Sequence, residues 1–304
     1  TLANLGLQEV ISYRLTSPEA EARLSPTGSQ AEISQYIEIQ NPITVEKRVL
    51  RRSLMACVLE ALEKNVRQRE RLLLFEIGPV FLPNNDDQLP KEAPRLAIAM
   101  TGLSISSAWD QKTSQLMDFF DLKGVIESLL QGLHIKEYTL TPDAHASFHP
   151  GKCAILSIEG KPIGWFGELH PKVKENYAFL DAPVLAADLD LNLLYSLSPK
   201  DFIAEPLTAY PPIIEDLSMI VTETITSAEI EKVMYSVGGF LLKHVSLFDI
   251  FRAEQIGEGN KSMAYRLTYQ APNRTLTDKD VGKIRERIIK QLEKELNAKI
   301  RKAD

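Results

Sequence analysis

Residues 243–270, KHVSLFDIFRAEQIGEGNKSMAYRLTYQ, alternate in polarity on both sides of a glycine-rich gap. In the second arm Met263, Tyr265, Leu267 and Tyr269 share one side, and Ser262, Ala264, Arg266 and Thr268 share the other. That two-residue period is the mark of a strand with one buried face. In the first arm the same rule puts Phe248 and Ile250 in the core and Asp249 and Phe251 on the open side. EQIGEGN between them supplies the turn.

The flanks complete a pattern. EDLSMIV (215–221) alternates, with Leu217, Met219 and Val221 on one face. Thr226 and Glu229 have capping-box spacing ahead of IEKVMYSV, and Gly238-Gly239 ends that helix. Thr277 caps a long amphipathic helix with Val281, Ile284, Ile288, Leu292 and Leu296 on one side, and AKIR (298–301) closes the run. The order is βαββαβ, the ferredoxin-like pattern.

Upstream, SLSPKDFIAEPLTAYPP (196–212) has little periodicity and several prolines, which deny the backbone its ladder donors. It reads as a connector between domains 1–204 and 205–304. In the first domain, LANLGLQEVISYRL is a helix end, a glycine stop and a strand. A helix follows over Leu54–Arg69, strands over 72–82 and 93–103, and a helix over 120–133. Short turns and an excess of strands predict an α+β domain built on a largely antiparallel sheet.

FHPGKCAILSIEGKPIGWFGELHP (148–171) holds two His-Pro pairs. It reads as a hairpin turning at Glu159-Gly160-Lys161, with Ala154, Leu156 and Ile158 alternating on one arm and Ile163, Trp165 and Gly167 following on the other. His145, His149 and Cys153 lie four apart, but Pro150 and Gly151 deny them a helix. His149 and His170 precede prolines and mark a strand start and a helix start at Pro171. The reading is framework, with no metal centre and no nucleophile elbow of GxSxG type.

Net charge is −6 over 304 residues, but residues 243–302 hold 14 Lys+Arg against 8 Asp+Glu. A basic end facing a polyanion fits that asymmetry. Cys57 and Cys153 show no paired spacing, which fits a reducing, cytoplasmic setting. No apolar run is long enough to span a bilayer, so no membrane partner is expected. The chain opens at Thr1 inside a helical pattern, which suggests a piece of a longer polypeptide.

GLQEVISYRL, LRRSL, FEIGPVF, FHPGK and GELHP, followed by YPPIIEDLSMIV, LFDIFR and EGNKSMAYRLTYQAPNRTLTD, resemble the bacterial phenylalanyl-tRNA synthetase β-subunit family. The resemblance implies a degenerate class II synthetase-like core followed by a ferredoxin-fold anticodon-binding domain. In class II enzymes a first motif builds the dimer interface, and Leu5, Leu7 and Glu9 fall on it. A second motif ends in Phe-Arg-x-Glu and grips the ATP α-phosphate. Here Leu82 and Asn84 stand in those places. The third motif needs glycines and an arginine that LAADLDLNLLYSL lacks. A bidentate arginine supplies charge and geometry together, and losing such a contact costs about 3 kcal/mol or more of barrier stabilisation. The core is therefore expected to be non-catalytic and to need no cofactor itself, with ATP and Mg serving the complete enzyme. Arg51 and Arg52 are expected at an exposed or interfacial helix start.

The partners implied are a catalytic α subunit and tRNA(Phe), with no DNA. Glu168 and His170 are candidate α-subunit contacts. Carried over to this chain, Asp249, Phe251, Ser262 and Ala264 are the anticodon-reading candidates, and Arg252, Lys261, Arg266 and Arg274 the phosphate-holding ones. Phe251 can stack on a base, and Asp249 can accept from a guanine edge. A stand-alone RNA-binding or scaffold protein of the same descent is the alternative.

Overall fold

The computed structural model describes residues 1–84, 89–110, 115–201 and 208–301. Its contacts divide the chain into two units, Thr1–Phe202 and Ile203–Asp304. The boundary expected at Glu205 lies outside the described residues. No helix among the described residues is long and apolar enough to cross a membrane.

The first unit runs β1 (Gln8–Glu9), β2 (Leu15–Thr16), α1 (Pro18–Ala22), β3 (Val49–Leu50), α2 (Leu54–Asn65), β4 (Arg71–Leu82), β5 (Lys91–Gly102), α3 (Phe119–Gly132), β6 (Tyr138–Pro142), β7 (Phe148–Ile158), β8 (Lys161–Leu169), α4 (Pro171–Glu175), β9 (Val184–Asp190) and α5 (Leu191–Leu197). Seven strands form one sheet in the order β1-β4-β5-β9-β8-β7-β6. All neighbours are antiparallel except β1 on β4.

Both faces of this sheet are covered, which explains the unbroken apolar run LAIAM (96–100) in β5. Leu96, Ile98 and Met100 point into a core shared with α3 and α5. Ala97 and Ala99 point the other way, under α2. Alanines there let Leu54, Val58 and Leu62 of α2 come down onto the backbone.

The expected hairpin is present, with a two-residue turn: Glu159 and Gly160 take φ of 51° and 73°. Positive φ at both central residues matches the right-handed strand twist, and glycine supplies it without strain. The alternating set on β8 differs from the expectation. The register shifts between Leu156 and Ser157 and leaves Ile163 as an extra residue. Phe166, opposite Ala154, is therefore the buried partner, and Trp165 turns to the other face opposite Ile155. A bulge reverses parity, and alternation alone does not reveal it.

Arg51 corrects a second expectation. It is only 2% exposed. Its guanidinium donates to Glu76 Oε1 at 2.7 Å, to Ser12 Oγ at 3.1 Å and to the Pro79 carbonyl at 2.9 Å. Ser12 Oγ donates in turn to the second Glu76 oxygen. Gly78 leaves the necessary space, since a Cβ there would sit 2.4 Å from an Arg51 nitrogen. Arg52 donates to the Gln35 side chain and lies over the Tyr36 ring.

The second unit runs β10 (Ile213–Thr222), α6 (Ser227–Gly238), β11 (Leu242–Phe251), β12 (Asn260–Tyr269), α7 (Asp278–Leu296) and β13 (Lys299–Arg301). The sheet order β11-β12-β10-β13, antiparallel throughout, is the ferredoxin-like one. Met219, Met263, Tyr265 and Leu267 meet Ile230, Met234, Ile284, Ile288 and Leu292 of the two helices in one core. Among the described residues, the other sheet face carries no helix of this unit. Thr226 and Thr277 both form reciprocal capping boxes, with Glu229 and Asp280. Replacing Thr277 by Ala is expected to cost about 1 kcal/mol, read as a lower urea midpoint with unchanged m-value.

Candidate nucleic-acid interface

The open face of the second unit is a grid set by strand register. One row runs Phe251, Ser262, Ile220, Lys299; the next runs Asp249, Ala264, Ser218, Arg301; a third joins Arg266 to Ser246 and Asp216. Phe251 is 48% exposed. Asp249 is exposed and takes no partner among the described residues. Ala264 between Asp249 and Ser218 keeps the floor low. A ring, a free carboxylate and a flat floor can hold one splayed base by stacking and edge hydrogen bonds.

The other sequence-derived candidates are placed differently. Ser262 is only 4% exposed beneath its neighbours. Lys261 falls on the helix side with Met263, and its ammonium donates to the Glu223 carbonyl at 2.9 Å. Arg252 is forked onto Glu223 at 2.6–3.2 Å. Arg266 is forked onto Asp216 at 2.9 Å through two nitrogens. Arg274 pairs with Asp280 at 2.7 Å, in a groove lined by Phe240, Lys283 and Arg287 on the helix side. These contacts hold the Asp216 and Glu223 carboxyls below their usual range, chiefly through the arginine hydrogen bonds. The four expected phosphate cations are thus engaged within the chain.

Two features of this face were not expected from the sequence. Lys299 and Arg301 stand on the edge strand in register with Ile220 and Ser218, without a carboxylate partner among the described residues. The short alternation AKIR was the available signal. Phe248, assigned to the core by alternation, is 52% exposed. The register slips between Leu247 and Asp249, so Leu247 takes the core position opposite Tyr265 and Phe248 is the extra residue. It meets Arg266, whose guanidinium carbon lies 5.3 Å from the ring centroid.

In the first unit, the face of β4 and β9 beyond α2 grows polar. Glu76, Ala97, Asp188 and Trp165 form one cross-sheet row, and Gly78, Arg95 and Asp190 the next. Arg95 is bound to Asp188 at 2.7 Å and reaches Asp190 at 3.7 Å. Burial pushes the Asp188 carboxyl up against the pull of Arg95. Arg51 is taken by Glu76. Leu82 ends β4 half-buried, and α5 follows β9 directly with no arginine in its sequence.

The histidines of the hairpin region serve local structure. His145 lies between Phe148 and Trp165, with ring centroids 5.3 and 5.2 Å away, and burial lowers its pKa. His149 Nδ1 accepts from Gly151 N at 3.0 Å, and His170 Nδ1 accepts from Lys172 N at the start of α4. Burial pushes the Cys153 thiol up to about 11. Of the interface candidates, Leu7 is 4% exposed in its own core and Leu5 packs against that core. Glu168 is paired with Lys152. Only Glu9 is exposed, beside Ile11 and Tyr13, which are 93% and 79% exposed.

Residues 1–191 match the family described as phenylalanyl tRNA synthetase beta chain CLM domain, and residues 208–301 the ferredoxin-fold anticodon binding domain. The phenylalanine–tRNA ligase β subunit of Clostridium acetobutylicum is 36% identical over 99% of this chain and 36% of its own length. Those of Symbiobacterium thermophilum and Bacillus cereus are 35% and 33% identical over 99% of the chain and 33% and 37% of theirs. The chain thus spans about a third of the length of these curated relatives. Among solved structures, pyrrolysyl-tRNA synthetase from Desulfitobacterium hafniense aligns with a TM-score of 0.49 and 15% identity, over 64% of each chain.

Proposed function

The chain belongs to the phenylalanyl-tRNA synthetase β-chain family, and from that premise we propose that its second unit binds the anticodon loop of tRNA(Phe) on the open sheet face. The observation that carries this is Asp249, an exposed carboxylate with no partner among the described residues, on the same face as the exposed Phe251 ring and opposite Ala264. Phe251 stacks a base, Asp249 accepts from its Watson-Crick edge, and Lys299 and Arg301 hold phosphates.

The first unit acts as a non-catalytic docking body for a catalytic α subunit. ATP and Mg belong to the complete enzyme, and among the described residues of this unit the side chains at this face do not fit a triphosphate. Arg51 and Arg95 are both held by carboxylates, and Leu82 offers neither charge nor a donor. Glu9 with Ile11 and Tyr13 beside the edge strand β1 supports docking there.

The test is binding of the full chain to a synthetic RNA hairpin bearing the GAA anticodon, against one with the first anticodon base changed. Preference for GAA is expected, and equal or absent binding would overturn the assignment. Arg301→Ala is expected to weaken both hairpins alike and to reduce the salt slope by about one. Co-elution with the α subunit on gel filtration separates the ligase role from a stand-alone RNA-binding or scaffold protein, which would elute alone.

A further inference from the structure

The surroundings of Arg266 suit a task other than phosphate binding. Two of its nitrogens donate to the two oxygens of Asp216, both at 2.9 Å. Phe248 lies against the guanidinium, brought there by the bulge in β11. It is the extra residue between Leu247, opposite Tyr265, and Asp249, opposite Ala264. The fork offsets the charge and fixes the plane. The side chain remains 53% exposed. Its neighbours on the open face, Ser246 across the strand and Ala264 along it, are small. What is presented is a flat guanidinium surface with low surroundings. Bases stack on guanidinium planes, and Asp216 offsets the net charge that a phosphate contact would use.

We infer that Arg266, held flat by Asp216 and backed by Phe248, is a second base-stacking platform of the RNA site. It takes a neighbouring unstacked nucleobase while Phe251 takes the first. This rests on the reading of the open face as an RNA site.

The experiment measures binding of the full chain to the GAA hairpin across a salt series, for wild type, Arg266→Lys, Arg266→Ala, Phe248→Leu and Phe251→Ala. Lysine keeps the charge and loses the plane. Arg266→Lys is expected to weaken binding about tenfold, as much as Arg266→Ala, with both keeping the wild-type salt slope. Phe248→Leu is expected to lose a smaller factor in the same direction. Wild-type affinity in Arg266→Lys, or a salt slope shallower by about one in Arg266→Ala, makes Arg266 a phosphate contact and overturns the inference. If Phe251→Ala loses affinity while Arg266→Lys and Phe248→Leu do not, the RNA site stands and only the second platform falls. A wild-type chain that fails to bind the hairpin removes both readings.

Discussion

Glu76→Ala is expected to destabilise the first unit by about 3–5 kcal/mol. Arg51 and Glu76 are among the few charged side chains in this chain that lie almost wholly out of water, 2% and 2% exposed. Removing one partner leaves the other charge buried without compensation, and that desolvation cost is what the variant measures. The bonds that Arg51 donates to Ser12 Oγ and to the Pro79 carbonyl strengthen the expectation, because Arg51 cannot swing out to solvent without breaking them. The main chain is tied in as well: Arg51 N donates to the Arg14 carbonyl, and Phe81 N to the Arg51 carbonyl, each at 2.9 Å. The cluster therefore joins the segment after β1 to the end of β4. Urea unfolding at neutral pH reads the loss. Replacing both partners together, Arg51→Met with Glu76→Leu, is expected to recover most of it, since an apolar pair of similar volume needs no counter-charge. A single-variant loss under about 1 kcal/mol, the range of an exposed ion pair, would sink the argument.

Phe251→Ala is expected to weaken hairpin binding by about 1–3 kcal/mol, the usual worth of one stacked base. The ring is half-exposed on the open face, so its removal leaves the fold intact, and the loss appears in RNA affinity and not in the unfolding midpoint. Phe251→Tyr keeps the stacking surface and is expected to bind at least as well as wild type. Titration of the full chain with the GAA hairpin at fixed salt separates these outcomes. Unchanged affinity in Phe251→Ala would place base recognition elsewhere.

Most elements could be read locally. Thr226 with Glu229, and Thr277 ahead of Val281, announced their helices because capping and the helical period act within one or two turns. Met263, Tyr265, Leu267 and Tyr269 announced the buried face of β12 because that strand is regular along its length. Asp249 and Phe251 were assigned to the open face correctly, since both lie beyond the bulge and keep the register of Ala264 and Ser262. Phe248 and Trp165 were assigned to the wrong faces for one shared reason. Each sits beside a register slip, and a strand with one extra residue has the same local sequence pattern as one without.

The sequence by itself determined the element order and ferredoxin-like pattern of the second unit and the absence of an arginine at Leu82 and through the LAADLDLNLLYSL stretch, because each is a property of residues close together in the chain. Only the tertiary structure decided which cations are free. Arg51, Arg252 and Arg266 meet their carboxylates 25, 29 and 50 residues away. Lys261 meets a carbonyl 38 residues away. Coulombic and hydrogen-bonding partners are chosen by distance in space, and strand register sets that distance, so the acid folded in beside a basic residue cannot be read from chain order.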